Sequence, residues 1–392
     1  MADITFVNLP TPYLEDARWE FPMGLVSLVT YANSIGIKAE FLDLGPEEDT
    51  SFSGIIRRLR EVKSPIIGVS VVTPAARYLP LFNRFNGKLV VGGPHATCLP
   101  NEMIALGFQT VVVGEAESEI PAIMDLKQEG ILTGKPRHLD DLPFIDRSLT
   151  KGYKGPAPIM TSRSCPYNCT FCSKADGKYR RRSPENVIEE IQSISDDHII
   201  FFDDTFTMNF EWVARLCELI LTKGIKKHFR CSTRADKCVP ELLELMRRAG
   251  FEEVCVGIES GSQKILDNLN KRTTVAQNSN AYRMVKEAGM RFKAYIMLGC
   301  PSESRETVAE TIKWLEENPP DSTGLYILHP LPGSDIWNHP EKYDLKFNRD
   351  YDASFYGGKR EEMFSTVSTS FLTKKEITKI YWGLMEELNA KA

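Results

Sequence analysis

The chain has 392 residues, enough for about two or three domains of ~100–200 residues each, and its 42% hydrophobic and 26% charged content is that of an ordinary globular protein, which excludes disordered and low-complexity classes. The formal net charge of −5 offers no overall basic surface, so no nucleic-acid partner is expected. No apolar run approaches the ~20 residues of a membrane span, and Asp3-Ile4-Thr5-Phe6-Val7 reads as a strand and not as a signal peptide.

From residue 3 to about 125, short β-rich runs alternate with helical patterns. Strands are expected at 4–9, 38–44, 66–72, 88–92 and 110–113, separated by amphipathic segments such as 24–34, 52–62 and 101–106. Strands alternating with helices argue for a parallel, doubly wound, Rossmann-like sheet over 1–126. The chemistry of such a sheet sits at the carboxyl ends of its strands. Those ends carry Asn8-Leu9-Pro10, Asp43-Leu44-Gly45, Ser70-Val71-Val72-Thr73, Gly92-Gly93-Pro94-His95 and Gly114-Glu115-Ala116-Glu117. Residues 127–158 are rich in Gly, Pro, Lys and Asp with poor periodicity, and read as a linker.

Beyond the linker the alternation returns. Strands are expected at 159–162, 199–203, 228–232, 253–258, 291–297 and 324–329, with helices at 184–193, 210–222, 240–249, 275–288 and 304–317. Units of this length over 159–337 suggest a partial (β/α)6 barrel whose functional face lies at the strand C-termini. A C-terminal extension, 338–392, closes on an amphipathic helix at 373–390 with Ile377, Ile380, Tyr381 and Leu384 on one side.

The stretch 161–173 places Cys165, Cys169 and Cys172 in a C-x3-C-x2-C spacing. Three soft thiolates on one tight loop suit a sulfur-preferring metal, most naturally a cubane iron–sulfur cluster. A cube needs four ligands and no fourth cysteine is near in sequence, so one iron would be left open. A zinc knuckle is the alternative, but zinc sites favour paired C-x2-C units followed by a second pair or by histidines, and none follows. The nine cysteines are an odd number with three on one loop, so no disulfide framework is expected and a reducing cytoplasm fits.

This loop, with Phe171 before the third cysteine, resembles that of the radical S-adenosylmethionine (SAM) superfamily. The resemblance implies a [4Fe–4S] cluster on Cys165, Cys169 and Cys172 whose open iron chelates SAM. One electron, from a donor such as flavodoxin or ferredoxin, then releases a 5′-deoxyadenosyl radical. Asp203 or Asp204 would accept hydrogen bonds from the SAM ammonium, or serve as a helix cap. Arg234 would clamp the SAM carboxylate with Ser232 as a smaller partner, the alternative being a salt bridge to Asp236. Glu259 would bind ribose hydroxyls or support Arg234. Lys271 and Arg272 read as a solvated helix end or a cationic lip. The Gly299-Cys300-Pro301-Ser302-Glu303 turn resembles Gly-x-Pro-Gly-Glu, and Ser302 in place of glycine suggests ordinary backbone angles there. His329 would lie near the barrel mouth, positioning substrate or moving a proton, or packing.

The N-terminal third resembles the cobalamin-binding domain of one large class of radical SAM enzymes. Gly92, Gly93, Gly114 and Glu115 would let backbone approach the corrin or its nucleotide tail, and Ser70 and Thr73 would hydrogen-bond the tail. The Asp-x-His-x-x-Gly signature is absent, and Thr11-Pro12-Tyr13-Leu14 follows the first strand, so no histidine would sit beneath the cobalt. His95 reads as a loop residue near the tail. The resemblance implies cobalamin-dependent methyl transfer to an unactivated carbon of a small-molecule substrate. Radical ring formation, rearrangement or oxidation without methyl transfer is the alternative, with an N-terminal domain empty of cobalamin. A non-catalytic iron–sulfur carrier would want four protein ligands, and three suit it poorly.

Overall fold

A computed structural model describes residues 1–11, 16–19, 21–45, 49–173, 177–348 and 363–391. The expected residues 12–14 after the first strand, and 349–362 of the C-terminal extension, lie outside the described residues. The chain divides into two compact units, one built mainly from Met1–Gly155, the other from Pro156–Cys172, Lys178–Asn348 and Phe364–Ala392.

The first unit holds β1 (Ile4–Asn8), β2 (Ala39–Asp43), β3 (Ile66–Ser70), β4 (Lys88–Gly92), β5 (Thr110–Val113) and β6 (Gly130–Thr133). All pairings are parallel and the order is β2-β1-β3-β4-β5-β6. Helices on both faces bury the central strands, so Ile66, Ile67 and Val69 of β3 and Leu89, Val90 and Val91 of β4 form near-continuous apolar runs. The order reverses between β1 and β3, which puts the topological switch at the carboxyl ends Asn8 and Ser70. The stretch read as linker supplies β6, a correction to the boundary at 126. This edge strand is only four residues long, alternates between half-buried and exposed, begins at Gly130 and is followed by Gly134. It therefore lacks an apolar run that could announce it. The segment Thr73–Arg84 forms 3-10 turns with Pro74 and Pro80 inside, which exclude a regular helix.

The second unit holds β7 (Ala157–Ile159), β8 (Ser162–Arg163), β9 (Arg180–Arg181), β10 (His198–Phe201), β11 (His228–Arg234), β12 (Phe251–Glu259), β13 (Arg291–Leu298) and β14 (Ser322–Ile327). β7 and β10 to β14 form one parallel sheet in sequential order, while β8 and β9 pair antiparallel. Side chains alternate between two faces. The outer face is apolar, with Phe201, Phe229 and Phe251 packed as an aromatic cluster and Phe292 edge-on to Tyr282 of the helix Val275–Glu287. The inner face is polar and includes Arg230, Ser232 and Arg234 of β11 beside Glu253, Cys255 and Gly257 of β12. Helices are started by side-chain caps at Ser183, Asn209, Thr274 and Ser304. The closing helix spans Lys374–Lys391 and buries Ile377, Tyr381 and Leu384. No described helix is long and apolar enough to cross a membrane.

The turn after β13 corrects one expectation. Ser302 has φ 57°, in the left-handed region, so it occupies the glycine-like conformation that its side chain disfavours. The turn is held by Glu303, whose carboxylate accepts from the Gly299 N–H. Glu303 is 2% exposed, and burial pushes its carboxyl up to about 8 against the opposing bonds from Gly299 and Cys300. Two outcomes follow from this turn. Ser302→Gly should raise thermal stability by about 0.5–1 kcal/mol or a few degrees, the left-handed cost being of order 1 kcal/mol; an unchanged or lower melting temperature would count against strain there. Because the fold binds the Glu303 proton more tightly than the unfolded chain, its contribution is full below pH 4.5 and declines as pH rises toward 8. Melting curves at pH 6 and pH 9 should therefore show a smaller alkaline loss in Glu303→Gln than in the parent, and identical slopes would refute the assignment.

Candidate active site

The chain leaves β7 and enters the cysteine loop through an anchor that the sequence does not announce. Asp203, just past β10, accepts from the Thr161 N–H at 3.1 Å, from the Thr161 hydroxyl at 2.9 Å and from the Ser162 hydroxyl. Burial pushes its carboxyl up to about 6, opposed by those bonds. Asp203 is thus engaged in holding the loop entrance, while Asp204 beside it is exposed. Ser164, immediately before the first cysteine, has φ 66°.

The loop is then fixed to the end of the helix Gln263–Asn268. The Thr170 N–H donates to the Leu269 carbonyl at 3.0 Å, and the Asn270 amide donates to the Asn168 carbonyl at 2.7 Å. Cys165 lies 3.9 Å from the Thr205 hydroxyl, Cys169 is buried and Cys172 is exposed. The Cys169 thiol is pulled down to about 6, first by a hydrogen bond from Cys172 and then by the charges of Lys271 and Arg234. The Cys172 thiol is correspondingly raised.

Arg234 ends β11 and is buried beneath this loop. Its Nε donates to Asp236 at 2.9 Å, one Nη donates to the Lys271 carbonyl at 2.5 Å, and the other lies 3.8 Å from the Cys169 Sγ. Its guanidinium carbon sits 3.6 Å from the centre of the Tyr167 ring, a close stacking contact. The salt bridge to Asp236, one of the two readings of Arg234, is therefore present.

Glu259 ends β12 with φ 62° and pairs with the Lys271 ammonium at 2.6 Å. Lys271 is 6% exposed, which corrects the reading of a solvated helix end. Its neighbours Asn270 and Arg272 take left-handed angles of 49° and 55°. Only Arg272 remains exposed, donating to the Asn270 side chain at 3.2 Å. Gly257 makes the pair possible. A Cβ there would stand 2.8 Å from both Glu259 Oε1 and Lys271 Nζ. Five of the six described non-glycine residues with positive φ, Ser164, Glu259, Asn270, Arg272 and Ser302, gather at the cysteine loop and near the strand ends, with Asp344 apart from them. Such clustering of strained residues is a mark of functional sites.

The other sequence-read residues of this unit divide. Phe171 and Ser232 are half-buried. His329 lies beyond β14, bonded to the Thr366 hydroxyl at 3.1 Å, and burial holds its imidazole down to about 4. Tyr167, Thr161, Ser162 and Lys271 are the partners that sequence reasoning missed or misplaced. Their types carry no motif, and only the fold brings them to the cysteines and acids.

In the first unit the carboxyl edge brings the sequence-read glycines together, for different reasons. Gly93 has φ 92°, and a Cβ there would meet the Ser70 hydroxyl at 2.8 Å and the Val71 nitrogen at 2.9 Å. Gly114 has φ 80° and donates its N–H to the Thr97 hydroxyl at 3.0 Å. Gly92 needs neither, since its added Cβ would meet nothing closer than 3.6 Å. Glu115 closes on Gly134, where a Cβ would collide with its carbonyl at 1.7 Å. The Thr73 hydroxyl is bonded to His95 Nδ1 at 3.1 Å, and His95 is 1% exposed. His95, expected in a loop, lies instead in the short helix Pro94–Cys98, where its enclosed imidazole packs.

Chemically, three thiols on one loop, with Cys169 buried beside the Arg234 guanidinium, are a soft donor set. Among the described residues no three His, Cys, Asp or Glu side chains converge on a point that one metal ion would fill. Thiols spread round a loop fit a cube, in which each sulfur ligates a different iron.

Comparison with known proteins agrees with this arrangement. Residues 159–315 match the radical SAM superfamily. An uncharacterized methyltransferase of Pyrococcus horikoshii is 29% identical over 81% of this chain and 78% of its own length. The hopanoid C-3 methylase of Methylococcus capsulatus is 29% identical over 84% of this chain and 70% of its own. The anaerobic magnesium-protoporphyrin IX monomethyl ester cyclase of Cereibacter sphaeroides is 26% identical over 72% of this chain, which spans only 54% of that relative. Among solved structures, the radical SAM methyltransferase TsrM of Kitasatospora setae, with cobalamin and a [4Fe–4S] cluster bound, aligns with TM-score 0.71 and 18% identity over 92% of this chain and 83% of its own. The cobalamin-dependent SAM radical enzyme OxsB aligns with TM-score 0.76 and 17% identity over 99% of this chain and 66% of its own, a likeness of fold. Residues 159–315 are therefore a radical SAM domain, which follows a doubly wound domain in a chain that shares the fold of TsrM and OxsB.

Proposed function

We propose that this enzyme reductively cleaves SAM and methylates an unactivated carbon of a small-molecule substrate, with a [4Fe–4S] cluster on Cys165, Cys169 and Cys172 and cobalamin in the first unit. The observation that carries the reading is the three-cysteine loop itself, its buried Cys169 lying with its Sγ 3.8 Å from a guanidinium nitrogen of the buried Arg234. When bound, the cluster and SAM supply the electron and the 5′-deoxyadenosyl radical, and cobalamin supplies the methyl group.

The chain's own residues bind and orient. Asp203 fixes the loop entrance through Thr161 and Ser162. Asp204, the exposed acid of the pair, takes the SAM ammonium. Arg234, oriented by Asp236 and Tyr167, turns remaining N–H groups to the SAM carboxylate with Ser232 beside it. Glu259 acts through Lys271, whose carbonyl also receives Arg234. Phe171 packs at the cluster loop. His329, held neutral at ordinary pH by burial, positions substrate.

Methyl transfer is supported by the methylases among the relatives, and cobalamin by its presence in the fold neighbours. In the first unit Gly92 supports a corrin-side opening, since protein packing alone does not demand a glycine there. A second reading, radical chemistry without methyl transfer, is favoured by the cyclase relative. A one-electron donor of the flavodoxin or ferredoxin kind would serve either.

Anaerobic reconstitution tests the assignment. Cys169→Ala should fail to assemble the cluster, read as lost cluster absorption with an unchanged circular dichroism spectrum. Arg234→Lys should keep the cluster and weaken SAM binding by about 10–100-fold, the loss of charge-assisted bonds worth ~1.5–3 kcal/mol. If SAM binds Arg234→Lys as it binds the parent, Arg234 is not the clamp. Gly92→Leu should melt within a degree or two of the parent yet take up hydroxocobalamin at least about tenfold more weakly, since a filled edge excludes a flat ring. Equal uptake, or no uptake by the parent, removes cobalamin and leaves the second reading.

A further inference from the structure

The inner face of the second unit's sheet is charged where a barrel interior is ordinarily apolar. Strand register stacks its side chains in tiers. The lower tier pairs Arg230 of β11 with Glu253 of β12 and Arg291 of β13. The middle tier sets Ser232, Cys255 and Lys293 side by side. The upper tier runs Arg234, Gly257, Tyr295 and Gly324.

The charges of the lower two tiers do not cancel. Glu253 is 3.2 Å from both Arg230 Nε and an Arg291 Nη, so one carboxylate serves two guanidinium groups. Glu252, on the bulge of β12, is taken by His228 at 2.6 Å. No described carboxylate lies within ion-pair distance of Lys293, whose ammonium sits 5.5 Å from the Tyr295 ring. Strands β7, β10 and β14 add no acid to this face. Their inward residues are Pro158, Ile200, Ser322, Gly324 and Tyr326, with His198 stacked on His228 at the far end. Three cations thus face one acid, and the face is open, since the Arg230 side chain keeps 31% of its accessible surface.

Above the charges the face turns aromatic. The Tyr295 ring lies over Gly324, where a Cβ would come within 2.7 Å of it, and 5.9 Å from the Tyr326 ring. Tyr326 is 49% exposed and Phe202, in phase with Ile200 of β10, is 42% exposed. Partly buried cations attract an oxyanion more strongly than surface ones, being less screened. Exposed aromatic rings receive a flat unsaturated body.

We propose that this lumen is the substrate pocket of the reaction proposed above, and that it selects a small molecule with a flat unsaturated body and an anionic oxygen group, carboxylate or phosphate. Arg230 and Lys293 hold the anion with Cys255 between them, and Tyr295, Tyr326 and Phe202 line the body. The inference rests on that reading for the chemistry but not for the binding. The test is calorimetric titration of anaerobically reconstituted enzyme with benzoate, phenyl phosphate and the neutral benzyl alcohol. At least one anion should bind about tenfold or more tightly than the alcohol, the stronger of the two naming the group. Lys293→Met should cut anion affinity by about tenfold and leave the alcohol unchanged, a charge-assisted contact being worth ~1.5–3 kcal/mol. Arg230→Gln should do the same if it folds, and Lys293→Met, a partly exposed site free of carboxylate contacts, keeps the test open if it does not. Equal binding of alcohol and anions, or anion binding unchanged in Lys293→Met, overturns the proposal. Release of 5′-deoxyadenosine by the same preparation is measured separately. Its absence with selective anion binding would remove the radical reading and leave the pocket.

Discussion

The catalytic unit depends on one buried ion pair. Lys271 and Glu259 meet at 2.6 Å in space that only the missing side chain of Gly257 leaves open. The pair is costly to desolvate, and it persists because each partner is held elsewhere. Glu259 sits at a left-handed turn ending β12, and Lys271 lies between two residues with positive φ. Through its carbonyl Lys271 receives Arg234, and Arg234 in turn reaches Cys169. A chain of contacts thus runs from a strained strand end to the sulfur. Removing either charge would leave the other buried and unpaired, and would disturb the sulfur environment without touching a cysteine.

Much of this was legible in the sequence, and the reasons differ by element. The central strands of the first sheet are apolar runs and those of the second alternate apolar with polar residues, so run and period announce them. β6 was not, because an edge strand of four half-exposed residues has no such run. The three cysteines are visible through spacing alone. Lys271 was misread because a lysine beside Arg272 in a polar stretch has a sequence identical to that of a solvated helix end. Only the left-handed angles at Asn270 and Arg272 turn it inward. Ser302 was misread for the converse reason, since a residue with a Cβ does not reveal that the fold imposes a glycine's angle on it.

Burial also separates roles that sequence leaves merged. Asp203 and Asp204 are equivalent as letters, yet the first is 4% exposed and accepts from Thr161 and Ser162, while the second is exposed. Gly92, Gly93 and Gly114 are likewise three instances of one letter. Packing requires Gly93, backbone angle requires Gly114, and Gly92 is required by neither.

The two faces of the second sheet divide stability from chemistry. The outer face stacks Phe201, Phe229 and Phe251 with centroids 5.2–5.6 Å apart, an apolar layer that needs no polar partner. That layer supplies the burial which holds the strands parallel and in sequential order. The inner face is thereby released from carrying the core, and can hold Arg230, Glu253, Lys293 and Arg234 in fixed positions without collapsing onto them. Polar groups so placed are anchored by neighbouring strands rather than by loops, which is the condition for a precise site. A parallel sheet of consecutive strands, apolar outside and charged within, therefore places the cysteine loop at one end and the cationic tiers below it on a single rigid element.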